Sequence, residues 1–182
     1  MGRDVDPPSP SEQLWTDLRD FFEDETGYFA GGTVWFLDIE PQDVGRLWDH
    51  ISVKATSIDK GTRIYYDDDT DPDTPAPPDA IDRLLARDGV IGVSPVLVGV
   101  RSHGELLPDL FAELASDSFG VYWWVGHPKD DWNPAKACAL AELLGELRAI
   151  VPNADLDLEH SDDPQELWRP VDEYLRSVRG NR

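Results

Sequence analysis

The chain has 182 residues, 40% of them hydrophobic, and its 37 acidic against 16 basic residues give a formal net charge of −21. A chain of this length suits one domain, and seven tryptophans, six phenylalanines and five tyrosines supply the apolar material for its core. The charge argues against direct binding to nucleic acids and to anionic membranes, because both would be repelled over most directions of approach.

Hydrophobic periodicity, helix-capping residues and prolines divide the chain into alternating helices and strands. In the first half of the chain, the pattern predicts a helix over residues 10–25, a strand over 33–39, a short helix from Pro41, and a pair of strands over 51–57 and 62–66 joined by a turn at 59–61. A helix from Asp79, one or two strands over 90–100 and a helix from Ser102 through Leu114 are predicted to follow. The remaining predicted elements are a strand over 119–126, a long helix from Asn133 to Pro152, an edge strand over 154–158 and a helix from Asp163. This alternation predicts a single α/β or α+β domain, with a mixed sheet of about five strands and about five or six helices packed on it. We expect the domain to cover residues 9–179, between a disordered lead over 1–8 and a frayed tail over 180–182.

Two of these helix starts rest on the same sequence pattern, the capping box. Ser9 and Glu12, and again Ser102 and Glu105, place a hydroxyl three residues before a carboxylate. At a helix start, such a pair satisfies two backbone N–H groups that have no partner within the helix. The pattern therefore predicts a helix after each pair.

An acidic, proline-rich segment over residues 67–78 is predicted to be a surface loop, because its carboxylates repel one another and its four prolines lack backbone donors. Its alternate carboxylates are similar to the first ligands of a calcium loop. However, Pro72 stands where that loop needs glycine and Pro78 where it needs glutamate, so we expect no metal there. We assign the aspartates of this loop to contact with a partner: Asp67, Asp68, Asp69, Asp71 and Asp73.

Aromatic and charged side chains are concentrated where the strand over 119–126 passes into the long helix. Five of them complete the predicted partner-binding surface: Trp124, His127, Asp130, Asp131 and Trp132. His127 with either aspartate has the composition of a general base and its orienting partner. No serine or cysteine nucleophile lies in a recognisable motif nearby, so we assign no catalytic residue and expect no enzyme.

The sequence lacks the motifs of several other functional classes. Neither the Walker pattern nor the dinucleotide fingerprint follows a predicted strand, so we expect no cofactor. His50, His103 and His160 have no metal-ligand spacing to one another, and the single Cys138 allows no internal disulfide. The first residues lack the apolar segment of a secretory signal, and no apolar run is long enough to span a membrane; we therefore expect a cytoplasmic protein.

One segment resembles a known family. Its matching positions run from the end of a strand into the long helix and comprise Tyr122, Trp123, Trp124, Asn133, Pro134, Cys138, Ala139, Leu143, Leu147, Ile150 and Pro152. This segment is similar to a strand-to-helix segment of bacterial polymorphic-toxin immunity proteins. The resemblance implies an acidic inhibitor that blocks a cognate toxin, and it assigns no individual functional residue.

Two hypotheses account for the acidity and the many aromatic residues. In the first, the chain is a non-enzymatic binding module, an immunity- or antitoxin-like inhibitor whose carboxylates and tryptophans cover a basic partner protein such as a toxin. In the second, the acidity is an adaptation to salt or a consequence of a GC-rich genome. The domain would then have an unrelated role, with a small enzyme using the region around His127 as one case.

Thermal unfolding at increasing salt concentration separates these hypotheses. If the carboxylates only hold water, screening of their mutual repulsion stabilises the folded state, and the Tm rises markedly with salt. We expect only a modest rise, measured by circular dichroism in potassium chloride. A steep, continuing rise into molar salt would favour solvent adaptation instead.

Overall fold

The computed structural model of the chain describes residues 7–22, 30–58, 63–66, 79–125, 132–159, 161 and 163–180. Within these ranges the helices are α1 (Pro10–Asp17), α2 (Pro41–Ser52), α3 (Ala80–Leu85), α4 (Pro134–Ile150) and α5 (Gln165–Gly180). The strands are β1 (Ala30–Leu37), β2 (Ser57–Ile58), β3 (Arg63–Tyr66), β4 (Val90–Ser94), β5 (Val96–Val98), β6 (Arg101–Ser102), β7 (Glu105–Leu106), β8 (Leu110–Ala115), β9 (Phe119–Val125) and β10 (Asp155–Leu158).

Capping side chains fix the starts of the first and the longest helix, as the sequence predicted. The Ser9 hydroxyl accepts a hydrogen bond from the backbone N–H of Glu12, and the Glu12 carboxylate accepts one from the backbone N–H of Ser9 at 2.8 Å. The Asn133 side chain accepts from the backbone N–H of Lys136 at 3.0 Å. Helix α1 ends at Asp17, short of the predicted residue 25, and a 3₁₀ turn over Arg19–Phe21 follows it.

The strands form an antiparallel sheet, and the prediction of an α+β domain is confirmed. Strand order is β10-β1-β9-β8-β4-β3, with β5 also pairing with β8, and β2 with β5. Every pair between described strands is antiparallel, whereas the alternation of helix and strand had suggested a mixed sheet. Short connections such as the turn at residues 116–118 between β8 and β9 explain the difference, since a parallel pair needs a long crossover. The edge position predicted for the strand near residue 156 is confirmed for β10.

The predicted helix from Ser102 through Leu114 is wrong. Ser102 and Glu105 pair across a hairpin between β6 and β7, and the two residues between them, His103 and Gly104, have positive φ angles of 47° and 87°. Positive φ at both central residues is the signature of the tight hairpin turn that fits twisted strands. Strand β8 follows, with buried and half-buried side chains alternating along it, the period of a strand.

The predicted pairing of residues 51–57 with 62–66 is also wrong. Helix α2 continues to Ser52, β2 pairs with β5, and β3 pairs with β4. Pro95 separates β4 from β5, because proline has no N–H to contribute to the ladder, so each short strand takes a different neighbour. The turn predicted at residues 59–61 lies outside the described residues.

One face of the sheet forms the core with the helices. Its inward side chains include Val34 and Phe36 of β1 and Trp123 of β9, all 1% exposed or less. Trp168 of α5 packs edge-on against Phe36, and Phe22 stacks on Trp123 at 5.9 Å between ring centroids. The Trp123 indole also donates a hydrogen bond to the backbone carbonyl of Phe21 at 3.0 Å. Helix α4 is the most deeply buried of the described helices, with nine buried residues.

Gly32 makes room for the Trp123 indole, which lies over it on the inner face. A Cβ added at Gly32 would lie 2.3 Å from Trp123 Cζ2. We expect Gly32→Ala to lower the free energy of unfolding by about 1–3 kcal/mol, because the ring would have to shift in a packed core. Urea denaturation measures the change. Gly180→Ala, which meets nothing within 4 Å, is the control, and equal effects of the two variants would contradict this packing.

Candidate functional site

The side chains that point away from the core form a second face of the sheet, here called the outer face. Alternation along β1, β8 and β9 places on it Thr33, Trp35, Phe111, Glu113, Tyr122 and Trp124. Trp35 lies over Gly120, the residue opposite it on β9, where an added Cβ would be 2.8 Å from the indole. The outer face is therefore aromatic at its centre.

Three aromatic rings on the outer face form a continuous stack across β8 and β9. Phe111 lies between Tyr122, with ring centroids 4.6 Å apart and an interplanar angle of 10°, and Trp124, at 5.3 Å and 24°. Trp124 is 46% exposed. Behind it, the Trp132 indole donates to the backbone carbonyl of Trp124 at 3.0 Å.

Carboxylates also lie on the outer face, along β8 from the stack and two strands away from β9 on β10. Glu113 follows Phe111 by two residues on β8, and Asp155 and Asp157 lie on the edge strand β10, with Asp157 opposite Trp35. Partial burial, and then the negative charge of Glu159, raise the pKa of Glu113 above its usual value. The backbone N–H of Glu159 bonds to the carbonyl of Thr33 at 3.1 Å, which places Glu159 next to β1. The outer face thus combines flat apolar surface with negative charge.

The structure places two of the ten residues predicted from sequence to bind a partner. Trp124 is exposed on the outer face, whereas Trp132 is buried against Phe22, with ring centroids 4.9 Å apart, and supports the backbone beneath Trp124. The other eight lie outside the described residues: Asp67, Asp68, Asp69, Asp71, Asp73, His127, Asp130 and Asp131.

Sequence reasoning missed the neighbours of Trp124 on the outer face. Phe111 and Glu113 fell within the wrongly predicted helix, where they would not have shared a face with Tyr122. The alternation of Leu110, Ala112 and Leu114 with less apolar positions was the signal that could have placed them on a strand.

A second cluster of charged side chains lies on the helical side of the domain, around Glu146 of α4. One Glu146 oxygen contacts His50 Nε2 at 2.8 Å and Lys54 Nζ at 3.0 Å, and the other contacts His103 Nε2 at 2.9 Å. His103 Nδ1 also contacts Glu142, at 2.7 Å. No sequence pattern linked His50 to His103, because their shared contact with Glu146 depends on three elements meeting in space.

The charged groups of this cluster pair with one another. Although partial burial acts to raise the pKa of Glu146, hydrogen bonds from His50, Lys54 and His103 and the charge of Lys54 together lower it to about 2. Among the described residues, no group of three or more histidine, cysteine or acidic side chains has an arrangement that could hold a metal ion. The cluster ties α2 and the β6–β7 hairpin to α4.

Comparisons with known proteins give one likeness. No protein-family model and no curated protein sequence matches the chain. Among solved structures, it is similar to one chain of a crystal structure of the toxic C-terminal tip of CdiA from Pseudomonas aeruginosa in complex with immune protein, with 14% sequence identity and a TM-score of 0.49. The likeness covers 75% of this chain and 91% of that one. None of the helices in the described ranges has the length and apolar character needed to cross a membrane.

The lowered pKa of Glu146 predicts how the second cluster responds to acid. Its pKa is about 2 in the folded protein against an ordinary 4.5, so the ionised carboxylate stabilises the fold above pH 4.5, and this contribution is lost as the pH falls towards 2. We expect Glu146→Gln to lower the free energy of unfolding by about 1–2 kcal/mol near neutral pH. The difference from wild type should shrink between pH 4.5 and 2.

Urea denaturation over a pH series provides the measurement. Glu173→Gln, which removes an exposed carboxylate of α5, is the matched control and should leave stability nearly unchanged. A Glu146→Gln deficit that stays constant down to the lowest pH would show that the loss comes from packing rather than from charge.

Proposed function

We propose that the chain is a non-enzymatic binding protein, an immunity- or antitoxin-type inhibitor that covers a basic partner protein with its outer face. One observation carries the proposal, the stack of Tyr122, Phe111 and Trp124, in which Trp124 is 46% exposed, on a face that also carries carboxylates. Aromatic side chains give large contact area at little entropic cost and are enriched at the energetic centres of interfaces.

The charges around the stack define the class of partner. Asp155 and Asp157 are exposed on the edge strand, and Glu113 experiences the negative charge of Glu159. A basic surface brought against this face would be attracted by these carboxylates and would be steered towards it by the net charge of −21.

Two further observations favour an inhibitor over an enzyme. The segment that resembles immunity proteins contains Tyr122 and Trp124, so it includes the centre of the outer face. The histidines at Glu146 are engaged with carboxylates and hold the helices together. The enzyme alternative depends on His127, which lies outside the described residues, and no geometry supports it.

A binding experiment tests the outer face directly. The partner is isolated from the source cells by affinity capture, produced separately and titrated by calorimetry against two matched double variants. Trp124→Ala with Asp157→Asn removes an exposed aromatic ring and a carboxylate from the outer face. Val53→Ala with Asp49→Asn removes an exposed apolar group and a carboxylate from the end of α2.

We expect the outer-face variant to lose about 2 kcal/mol or more of binding free energy, and the α2 variant to bind like wild type. Affinity should fall as salt rises, and a stoichiometric amount of the chain should suppress the activity of the partner. Equal binding by the two variants, or an affinity unchanged in molar salt, would refute the proposal. A partner that stays active in the complex would refute the inhibitory role.

A further inference from the structure

The imidazole ring of His103 lies between two carboxylates of α4. Its Nδ1 contacts a Glu142 oxygen at 2.7 Å, and its Nε2 contacts a Glu146 oxygen at 2.9 Å. A neutral imidazole has one N–H group, so its other nitrogen presents a lone pair. A neutral ring would therefore set a lone pair against a carboxylate on one side, whereas a doubly protonated ring is attracted by both carboxylates.

His50 contacts the same cluster but needs no second proton. Its Nε2 lies 2.8 Å from the second oxygen of Glu146, and no other carboxylate within the described part of the chain pairs with this ring. A neutral ring with its single proton on Nε2 makes that contact. The two histidines that contact Glu146 therefore differ in the number of protons that their surroundings require.

The charges of the cluster also call for one more proton. Two carboxylates, Glu142 and Glu146, face the single ammonium group of Lys54, which lies 3.0 Å from Glu146. Helix α5 contributes the hydroxyl of Tyr174, which donates to Glu142 at 3.2 Å and brings no positive charge. One further positive charge balances the two carboxylates, and the contacts of both ring nitrogens place it on His103.

The β6–β7 hairpin is held against α4 by two kinds of contact. The buried Ser102 hydroxyl donates to the carbonyl of Ala139 at 2.8 Å, a contact without a titrating group. His103 follows at the turn, with a φ of 47° that residues other than glycine seldom adopt. The charged residues of the hairpin itself, Arg101 and Glu105, have opposite signs. The contacts that depend on pH are therefore those of His103.

We propose that His103 is a proton-operated latch, whose doubly protonated ring holds the β6–β7 hairpin against α4 and whose loss of one proton to solvent loosens the hairpin. The His103 side chain is 32% exposed, so the proton has a path to water. A group whose protonated form is favoured by folding stabilises at low pH and loses this effect as the pH rises through its titration. The latch does not depend on the proposed function.

Glu146 sets the acid limit of the latch. Its carboxylate is ionised in the folded protein down to a pH of about 2, and it is needed for the contact with Nε2 of His103. The contribution of Glu146 is lost in acid, and that of His103 is lost on the alkaline side. The hairpin is therefore held most firmly between these two titrations.

Nuclear magnetic resonance of the ring nitrogens tests the latch in the unmodified chain. The ¹⁵N chemical shifts of each histidine ring distinguish one N–H group from two across a pH series. We expect the His103 ring to keep both N–H groups at a pH at which His50 carries one. In Glu142→Gln, which leaves His103 a single carboxylate, the second proton should leave at lower pH than in the wild type.

Hydrogen exchange measures whether the hairpin loosens. The amide of Arg101 donates to the carbonyl of Lys54 at 2.9 Å and reports the attachment of β6. Its protection, corrected for the intrinsic effect of pH, should fall about threefold or more as His103 loses a proton. The amide of Ala154, which donates to Val151 in the turn after α4, is the internal control and should keep its protection.

Two variants assign the change to His103. Asparagine tolerates the same positive φ but does not titrate, so His103→Asn should show the lower protection at every pH. His50→Gln keeps an N–H donor for Glu146, and its hairpin should respond to pH as in the wild type. Thermal melting shows whether each variant is folded, and the ring titration of the wild type decides the matter if His103→Asn is not.

Two results would overturn the latch. The first is a His103 ring that becomes singly protonated at the same pH as His50 or below it, since the second carboxylate would then hold no proton. The second is a protection of the Arg101 amide that stays constant while His103 titrates, since the proton would then be present without holding the hairpin.

Discussion

Two tryptophan–glycine pairs between β1 and β9, one on each face of the sheet, set the arrangement on which the rest of the structure depends. Trp123 lies over Gly32 on the inner face, and Trp35 lies over Gly120 on the outer face. A side chain at either glycine would occupy the space of the indole ring. The pairs are compatible with one register alone, because a shift by one residue would exchange every inward and outward side chain of the strand.

This register separates the consecutive residues Trp123 and Trp124 into different roles. Trp123 is 1% exposed and joins the sheet to the turn after α1, through its hydrogen bond to Phe21, whereas Trp124 is 46% exposed. The backbone carbonyl of Trp124 accepts a hydrogen bond from the Trp132 indole, and the neighbouring Trp123 is packed in the core, so the backbone that carries the exposed ring is held on the inner side of the sheet.

The sequence predicted local features well and long-range ones poorly. The capping box at Ser9 begins a helix, but the same spacing at Ser102 spans a hairpin turn, since His103 and Gly104 adopt positive φ angles there. The position at the end of a strand assigned both Trp124 and Trp132 to a partner-binding surface, but Trp124 is exposed and Trp132 is buried. The stacking of Trp124 on Phe111 was not predicted, because that contact follows from the pairing of β8 with β9, which no local pattern specifies.

The positions of the carboxylates tell more about the outer face than their number does. A net charge of −21 keeps a protein soluble wherever the carboxylates lie, but Glu113 is half-buried next to another carboxylate, and its pKa is raised for that reason. A positive charge brought close to Glu113 would favour the ionised form of this carboxyl, and by linkage the ionised form would favour the positive charge. The charge state of Glu113 therefore depends on what lies against the outer face, unlike that of a fully solvated carboxylate.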